Sequence, residues 1–239
     1  MKFSLLFILF LLSSVQSAAH EEIFIVESKI LGKSIEVRLL ETAHGHIDKP
    51  VVYITDGKKM YDNGFWKKIT ELTEAGKIPA AYYVFVSTIA PLSGEDLRND
   101  YFFCNADYLA FFAKELLPAA ENRMPKKFQA KERCLVGISF GGLNAAYFSA
   151  HTDLFGGYGL LSPVTYPCEK VVQDLVFSSA KNLRIYLSTG RNDAENYLRP
   201  LERIYKNKGH KVKTVQTEGG HDFANWNEQV TALLGFLLN

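Results

Sequence analysis

The 239-residue chain is 47% hydrophobic and 13% aromatic, which suffices for one well-buried core and falls short of what two domains usually need. Its 27 Lys and Arg against 26 Asp and Glu give a formal net charge of +1, so the basic footprint of a nucleic-acid binder is excluded. No Cys/His spacing resembles a zinc site, and no metal or cofactor is expected.

In chain order, Lys2 supplies a positive start, Phe3–Leu12 is an apolar run and Ser13–Ala19 is small or polar. This pattern predicts a signal peptide over residues 1–19, cleaved between Ser17 and His20, ahead of a domain over 20–239. The apolar run is shorter than the ~20 residues that cross a bilayer, so a secreted or periplasmic protein without a membrane span is expected. Ile23–Val26 and Ser34–Leu40 alternate polar and apolar residues, predicting two half-buried strands that pair near a sheet edge. Val51–Thr55, Tyr82–Ser87, Cys134–Ile138, Gly157–Leu161 and Leu183–Ser188 are short apolar runs, as expected of parallel strands covered on both faces, and Lys211–Gln216 is a last strand.

Helical periodicity marks Phe65–Ala75, Ala106–Asn122, Gly142–His151, Val171–Ala180, Ala194–Asn207 and Phe223–Leu238. Leu109, Phe112, Leu116 and Leu117 share one face of the second of these. Strand and helix alternate, predicting an α/β fold: a mostly parallel sheet with helices on both faces. Ile89–Asn105, without strong periodicity, reads as a loop over the strand ends. Cys104 and Cys168 fall in segments expected near the mouth of the site, while Cys134 lies in a buried run. A Cys104–Cys168 bridge and three free thiols are both open.

Gly137-Ile138-Ser139-Phe140-Gly141-Gly142 lies between an apolar strand and a helix-like run, the setting of a nucleophile elbow. A serine hydroxyl is a weak nucleophile at neutral pH, so a histidine must accept its proton and a carboxylate must orient that histidine. His20 is at the cleavage site, His44 and His46 are in a polar loop, His151 ends a helix and His210 is in a turn. His221 alone follows the last strand in a glycine-freed loop, Glu218-Gly219-Gly220-His221-Asp222-Phe223, placed to reach across the strand ends. The acid falls in Thr189-Gly190-Arg191-Asn192-Asp193-Ala194-Glu195, with Asp193 the first choice and Glu195 the second.

An oxyanion needs two backbone N–H donors, each worth about 3 kcal/mol of barrier; Phe140 and, after the Asp56-Gly57 turn, Lys58 are the candidates. Lys58, Lys59, Arg98 and Arg191 are candidate contacts to an anionic substrate, with Arg98 and Trp226 the leading substrate-binding residues. Phe65, Tyr101 and Phe102 are further candidates to line an acyl pocket.

Tyr53-Ile54-Thr55-Asp56-Gly57, Glu115-Leu116-Leu117-Pro118, the Ser139 elbow and Gly219-Gly220-His221-Asp222-Phe223-Ala224-Asn225-Trp226 together resemble motifs of siderophore esterases. Through them nearly all of the chain after the leader resembles the esterase family of α/β-hydrolases, which also holds feruloyl esterases, S-formylglutathione hydrolases and mycolyltransferases. The resemblance implies Ser139 and His221 as catalytic residues, Lys58 N–H as an oxyanion donor and a small-molecule ester as substrate. Export argues against a glutathione thioester. The function expected is an exported serine esterase acting through an acyl-enzyme on Ser139, on a siderophore-type lactone, an aryl ester or a sugar ester. An acyltransferase with the same triad and an inactive binding protein of the same fold remain as alternatives. The sequence leaves the oligomeric state open.

Overall fold

Residues 19–43, 47–193 and 198–239 are described by the computed structural model, and they build around one eight-stranded sheet. The strands are β1 (His20–Ser28), β2 (Lys33–Glu41), β3 (Val51–Ile54), β4 (Tyr82–Val86), β5 (Arg133–Ile138), β6 (Gly157–Leu161), β7 (Arg184–Gly190) and β8 (Lys211–Thr217). They lie in the order β1-β2-β4-β3-β5-β6-β7-β8. β1 pairs antiparallel with β2, and β2 with β4, while all pairings from β4 onward are parallel.

The helices are α1 (Gly57–Asp62), α2 (Phe65–Glu74), α3 (Arg98–Phe102), α4 (Ala106–Phe111), α5 (Leu117–Glu121), α6 (Phe140–His151), α7 (Lys170–Phe177), α8 (Leu198–Asn207), α9 (Phe223–Glu228) and α10 (Val230–Leu237). Successive residues of β3 feed opposite cores, as strand geometry requires. Val51 and Tyr53 join the core under α3–α8, and Val52 and Ile54 join that under α1, α2, α9 and α10. With both faces covered, β3, β4 and β6 are buried at every residue, which is why their sequences are apolar without alternation. No described helix is long and apolar enough to cross a membrane. The expected leader lies outside the described residues except for Ala19, as do His44 and His46.

Several elements differ from expectation. The segment 106–122 is α4 and α5 joined by a π-helical turn, Phe112–Leu116. Pro118 just beyond has no N–H to continue the i→i−4 ladder, and the slipped register accommodates it. Glu115 on that turn accepts hydrogen bonds from the Ser28 hydroxyl and the Lys29 and Ile30 N–H groups, pinning the β1–β2 hairpin.

The last helix is two, α9 and α10. At their junction the buried Gln229 side chain donates to Asn225 O, the acceptor its own N–H would use in a continuous helix. That N–H turns to Trp226 O instead. The segment 89–105 contains α3 and a bridge between Ile89 and Asp96. Asp56-Gly57-Lys58 is the start of α1 rather than an isolated turn. The helix predicted from Ala194 is described from Leu198. Cys104 and Cys168 are disulfide-bonded and Cys134 is a buried thiol, which excludes three free thiols.

Candidate active site

The C-terminal ends of β5, β6, β7 and β8, adjacent in the sheet, carry Ser139, Ser162, Asp193 and His221 into one region. Ser139 has φ 54° and ψ −115°, a conformation costly for any residue with a side chain, and it caps α6. The sharp turn is possible because Gly137 packs where a Cβ would stand 2.1 Å from Gly141 O. Ser139 N–H is held by Leu161 O at 2.9 Å. Ser139 O accepts from Leu143 N–H, so the N–H groups of Phe140, Gly141 and Gly142 open α6 without partners inside it.

The acid and the histidine meet directly. β7 runs to Gly190, and Asp193 just beyond accepts a 2.9 Å hydrogen bond from His221 Nδ1 through Oδ1. Its Oδ2 accepts from Ser162 Oγ (2.8 Å), Thr189 Oγ1 (2.9 Å) and Gly190 N–H (2.7 Å). Burial alone would raise the Asp193 pKa; the Gly190 N–H, the two hydroxyls and His221 outweigh it and hold the carboxyl below its usual range. Glu195, the second-choice acid, lies outside the described residues. Asp222 turns away to cap α9, accepting from Asn225 N–H at 2.9 Å. His151 pairs with Asp174, and His210 is buried with Nδ1 accepting from Leu183 N–H, so neither resembles a free base. Among the described residues Ser139 Oγ and His221 Nε2 share no hydrogen bond.

Facing the elbow, β3 leads into Asp56, which has φ 56° and is fully buried, and then into α1. A Cβ on Gly57 would lie 2.3 Å from Val86 N, so only glycine lets α1 begin this close to β4. Met60 N–H reaches Asp56 O, leaving the Lys58 N–H among those at the open end of α1.

The four cations expected near substrate are each matched to a carboxylate: Lys58 to Asp62 (2.6 Å), Lys59 to Asp96 (2.6 Å), Arg98 to Asp56 (2.7 Å) and Arg191 to Glu218 (3.0 Å). Their charge is therefore answered within the protein.

The expected aromatic lining is also placed differently. Trp226, Phe65, Tyr101 and Phe102 are core residues, 4% exposed or less. Trp226 lies edge-on to His221, ring centroids 5.1 Å apart, and donates Nε1–H to Ser162 Oγ at 3.0 Å. Beside the elbow, the half-buried Phe103 and Phe140 and the exposed Tyr166 form an aromatic group, with centroids 4.9 Å (Phe103–Phe140) and 5.8 Å (Phe140–Tyr166) apart. The Cys104–Cys168 bridge joins the two flanking segments.

Two polar residues were missed from sequence. Ser162 links Trp226 to Asp193; its only sequence signal is a serine directly after a core strand, before Pro163. The buried Asn225 braces the histidine loop by donating to Gly220 O (2.7 Å) and accepting from Thr217 Oγ1 (2.6 Å). A large cleft of about 720 Å³, lined by His151, Asp153, Lys181 and Arg184 among others, sits at the opposite end of the strands.

A mostly parallel sheet that presents an elbow serine beyond β5 and an acid–histidine pair beyond β7 and β8 has the α/β-hydrolase fold, and solved structures agree. Enterobactin esterase from Shigella flexneri, crystallised in the presence of enterobactin, superimposes with TM-score 0.78 at 25% identity, over 91% of this chain and 58% of that one. A ferulic acid esterase does so with TM-score 0.75 at 18% identity, over 92% and 97%.

The chain belongs to the esterase family described as "Putative esterase", whose model matches residues 28–237. Among curated proteins, iron(III) enterobactin esterase of Escherichia coli K12 is 28% identical over 216 residues, covering 84% of this chain and 52% of that protein. The chain thus spans about half the length of the curated relatives it matches.

Proposed function

We propose that this protein is an exported serine esterase that cleaves a carboxylic ester in two steps. Ser139 Oγ attacks the ester carbonyl while His221 Nε2 takes its proton. Asp193 holds Nδ1–H and stabilises the imidazolium that forms. The N–H groups of Phe140 and Lys58 receive the developing oxyanion, and His221 returns the proton to the leaving alcohol. Water, activated by the same histidine, then attacks the acyl-enzyme and releases the acid. The observation that carries this reading is the Asp193–His221 hydrogen bond of 2.9 Å, built from a carboxylate with three further donors on its other oxygen. A surface histidine of no function has no use for so prepared a partner.

An ester bearing an aromatic group, of the siderophore-lactone or aryl-ester kind, is the proposed substrate class. The names of the relatives, enterobactin esterase and ferulic acid esterase, support it, as do the aromatic side chains of Phe103, Phe140 and Tyr166 beside the elbow. Export is supported by the leader-like pattern over 1–19 and by a disulfide, which persists in oxidising compartments.

The test is hydrolysis of p-nitrophenyl and aryl esters by the purified protein, beside Ser139→Ala, with labelling by a fluorophosphonate. Turnover and labelling that both disappear in Ser139→Ala support the mechanism; a wild-type protein that neither turns over nor labels rejects it.

A further inference from the structure

Arg98 lies between the two backbone segments that would bind the oxyanion, and its guanidinium is engaged with both. Nε donates to Asp56 Oδ1 and Oδ2 at 2.7 and 2.8 Å, gripping the residue that opens the Gly57–Lys58 arm. Nη2 donates to Ile138 O at 3.1 Å, the carbonyl immediately before Ser139. The guanidinium carbon also lies 4.9 Å from the centroid of Phe140, whose N–H would be the second oxyanion donor.

The connection is reinforced next door. Asp96 accepts from the Arg98 N–H at 3.2 Å and from Lys59 Nζ of α1 at 2.6 Å. Asp56 is fully buried and the Arg98 side chain only 14% exposed, so the ion pair is shielded from water and its geometry is well fixed.

Two loops from different strands must hold their N–H groups a few tenths of an ångström from the right spacing for an oxyanion to be bound by both. Nothing in the covalent chain sets that spacing: Lys58 and Phe140 are far apart in sequence. A planar, always-charged fork touching both arms can do so.

We propose that Arg98 is a positioning residue that fixes the spacing between the Lys58 and Phe140 N–H groups. It acts through Asp56 on one arm and Ile138 O on the other, without contacting substrate. The proposal rests on the serine-esterase reading above. It predicts that weakening the fork harms the tetrahedral state far more than ground-state binding.

The experiment compares wild type with Arg98→Lys, which keeps the charge beside Asp56 but cannot also reach Ile138 O in the same fork. A second variant, Arg98→Gln with Asp56→Asn, leaves no unpaired buried charge and guards against simple misfolding. Steady-state hydrolysis of p-nitrophenyl acetate is measured together with inhibition by a trifluoromethyl ketone, which forms a serine hemiketal oxyanion. The expected result is a fall in kcat of at least tenfold, KM within twofold of wild type, and a matching rise in the inhibition constant. A soluble variant whose kcat stays within twofold of wild type, or whose loss falls on KM, overturns the proposal. Absence of Ser139-dependent turnover in the wild type instead overturns the esterase reading, and this inference with it.

Discussion

His221 and Asp193 meet across 2.9 Å with their side chains in opposite surroundings: the carboxylate is 1% exposed and the imidazole 42%. The buried partner is fixed by three other donors, so the orientation of the histidine is set from inside the protein. Asp193→Asn keeps the shape but offers an amide where Nδ1–H needs an acceptor, favouring the wrong tautomer. By the reading above, kcat should fall by about 10³–10⁴-fold with little change in KM, measured on a chromogenic ester.

The same carboxylate makes stability depend on pH. Its folded pKa is held below the usual range, so its contribution is fully present above the pKa of an unfolded aspartate, about 3.9, and is lost as pH falls through the folded value. Asp96 and Asp174, also held low, act in the same direction. The prediction is a urea midpoint that drops on acidification, first below about pH 6.5 as the buried His210, held below its usual range by burial, is forced to charge, and again below about pH 5, where the drop is smaller in Asp193→Asn. An equal drop in both proteins would remove Asp193 from the account.

Ser162→Ala removes one of four hydrogen bonds to Asp193 and leaves the buried Trp226 Nε1–H without its acceptor. Leaving a buried donor unsatisfied costs about 1–3 kcal/mol, read as a lower thermal midpoint. Activity should fall much less than in Asp193→Asn, because Thr189 and Gly190 still hold the carboxylate.

Gly137→Ala places a methyl 2.1 Å from Gly141 O, a backbone atom, and a methyl has no rotamer that relieves the clash. Overpacking of about 1–3 kcal/mol or more is expected, with the elbow forced open. Fluorophosphonate labelling should be lost even where circular dichroism reports a folded protein.

The Cys104–Cys168 bridge closes a loop with a sequence separation of 64, for which chain entropy predicts about 4 kcal/mol of stabilisation. A Cys104→Ser, Cys168→Ser double variant should melt well below wild type, and a reductant should lower the wild-type midpoint to match. Thiol titration without reductant should find no reactive thiol in the folded wild type and one, Cys134, after denaturation.

How much of this was legible in the sequence follows from what each residue answers to. Parallel strands covered on both faces must be apolar throughout, so β3, β4 and β6 stood out, and Ser139, Asp193 and His221 were locatable because their loops follow strands in a fixed order. The partners of long side chains were not locatable. Arg98 and Trp226 were expected at substrate because a cation and an indole suit a ligand, but Asp56 and Ser162, distant in sequence, claim them. α1 was missed because six residues carry too little periodicity to separate a helix from a turn. The break at Gln229 depends on one side-chain amide competing with its own backbone, which no periodicity encodes.

The bridge between the segments of Phe103 and Tyr166 has a further consequence for recognition. On the proposed reading, segments that are covalently joined beside the elbow cannot part for one guest and close on the next, so selection would act on the shape of the incoming molecule. Related ligands should then differ mainly in how fast they leave, and a rigid ring should be held better than a floppy chain of equal size.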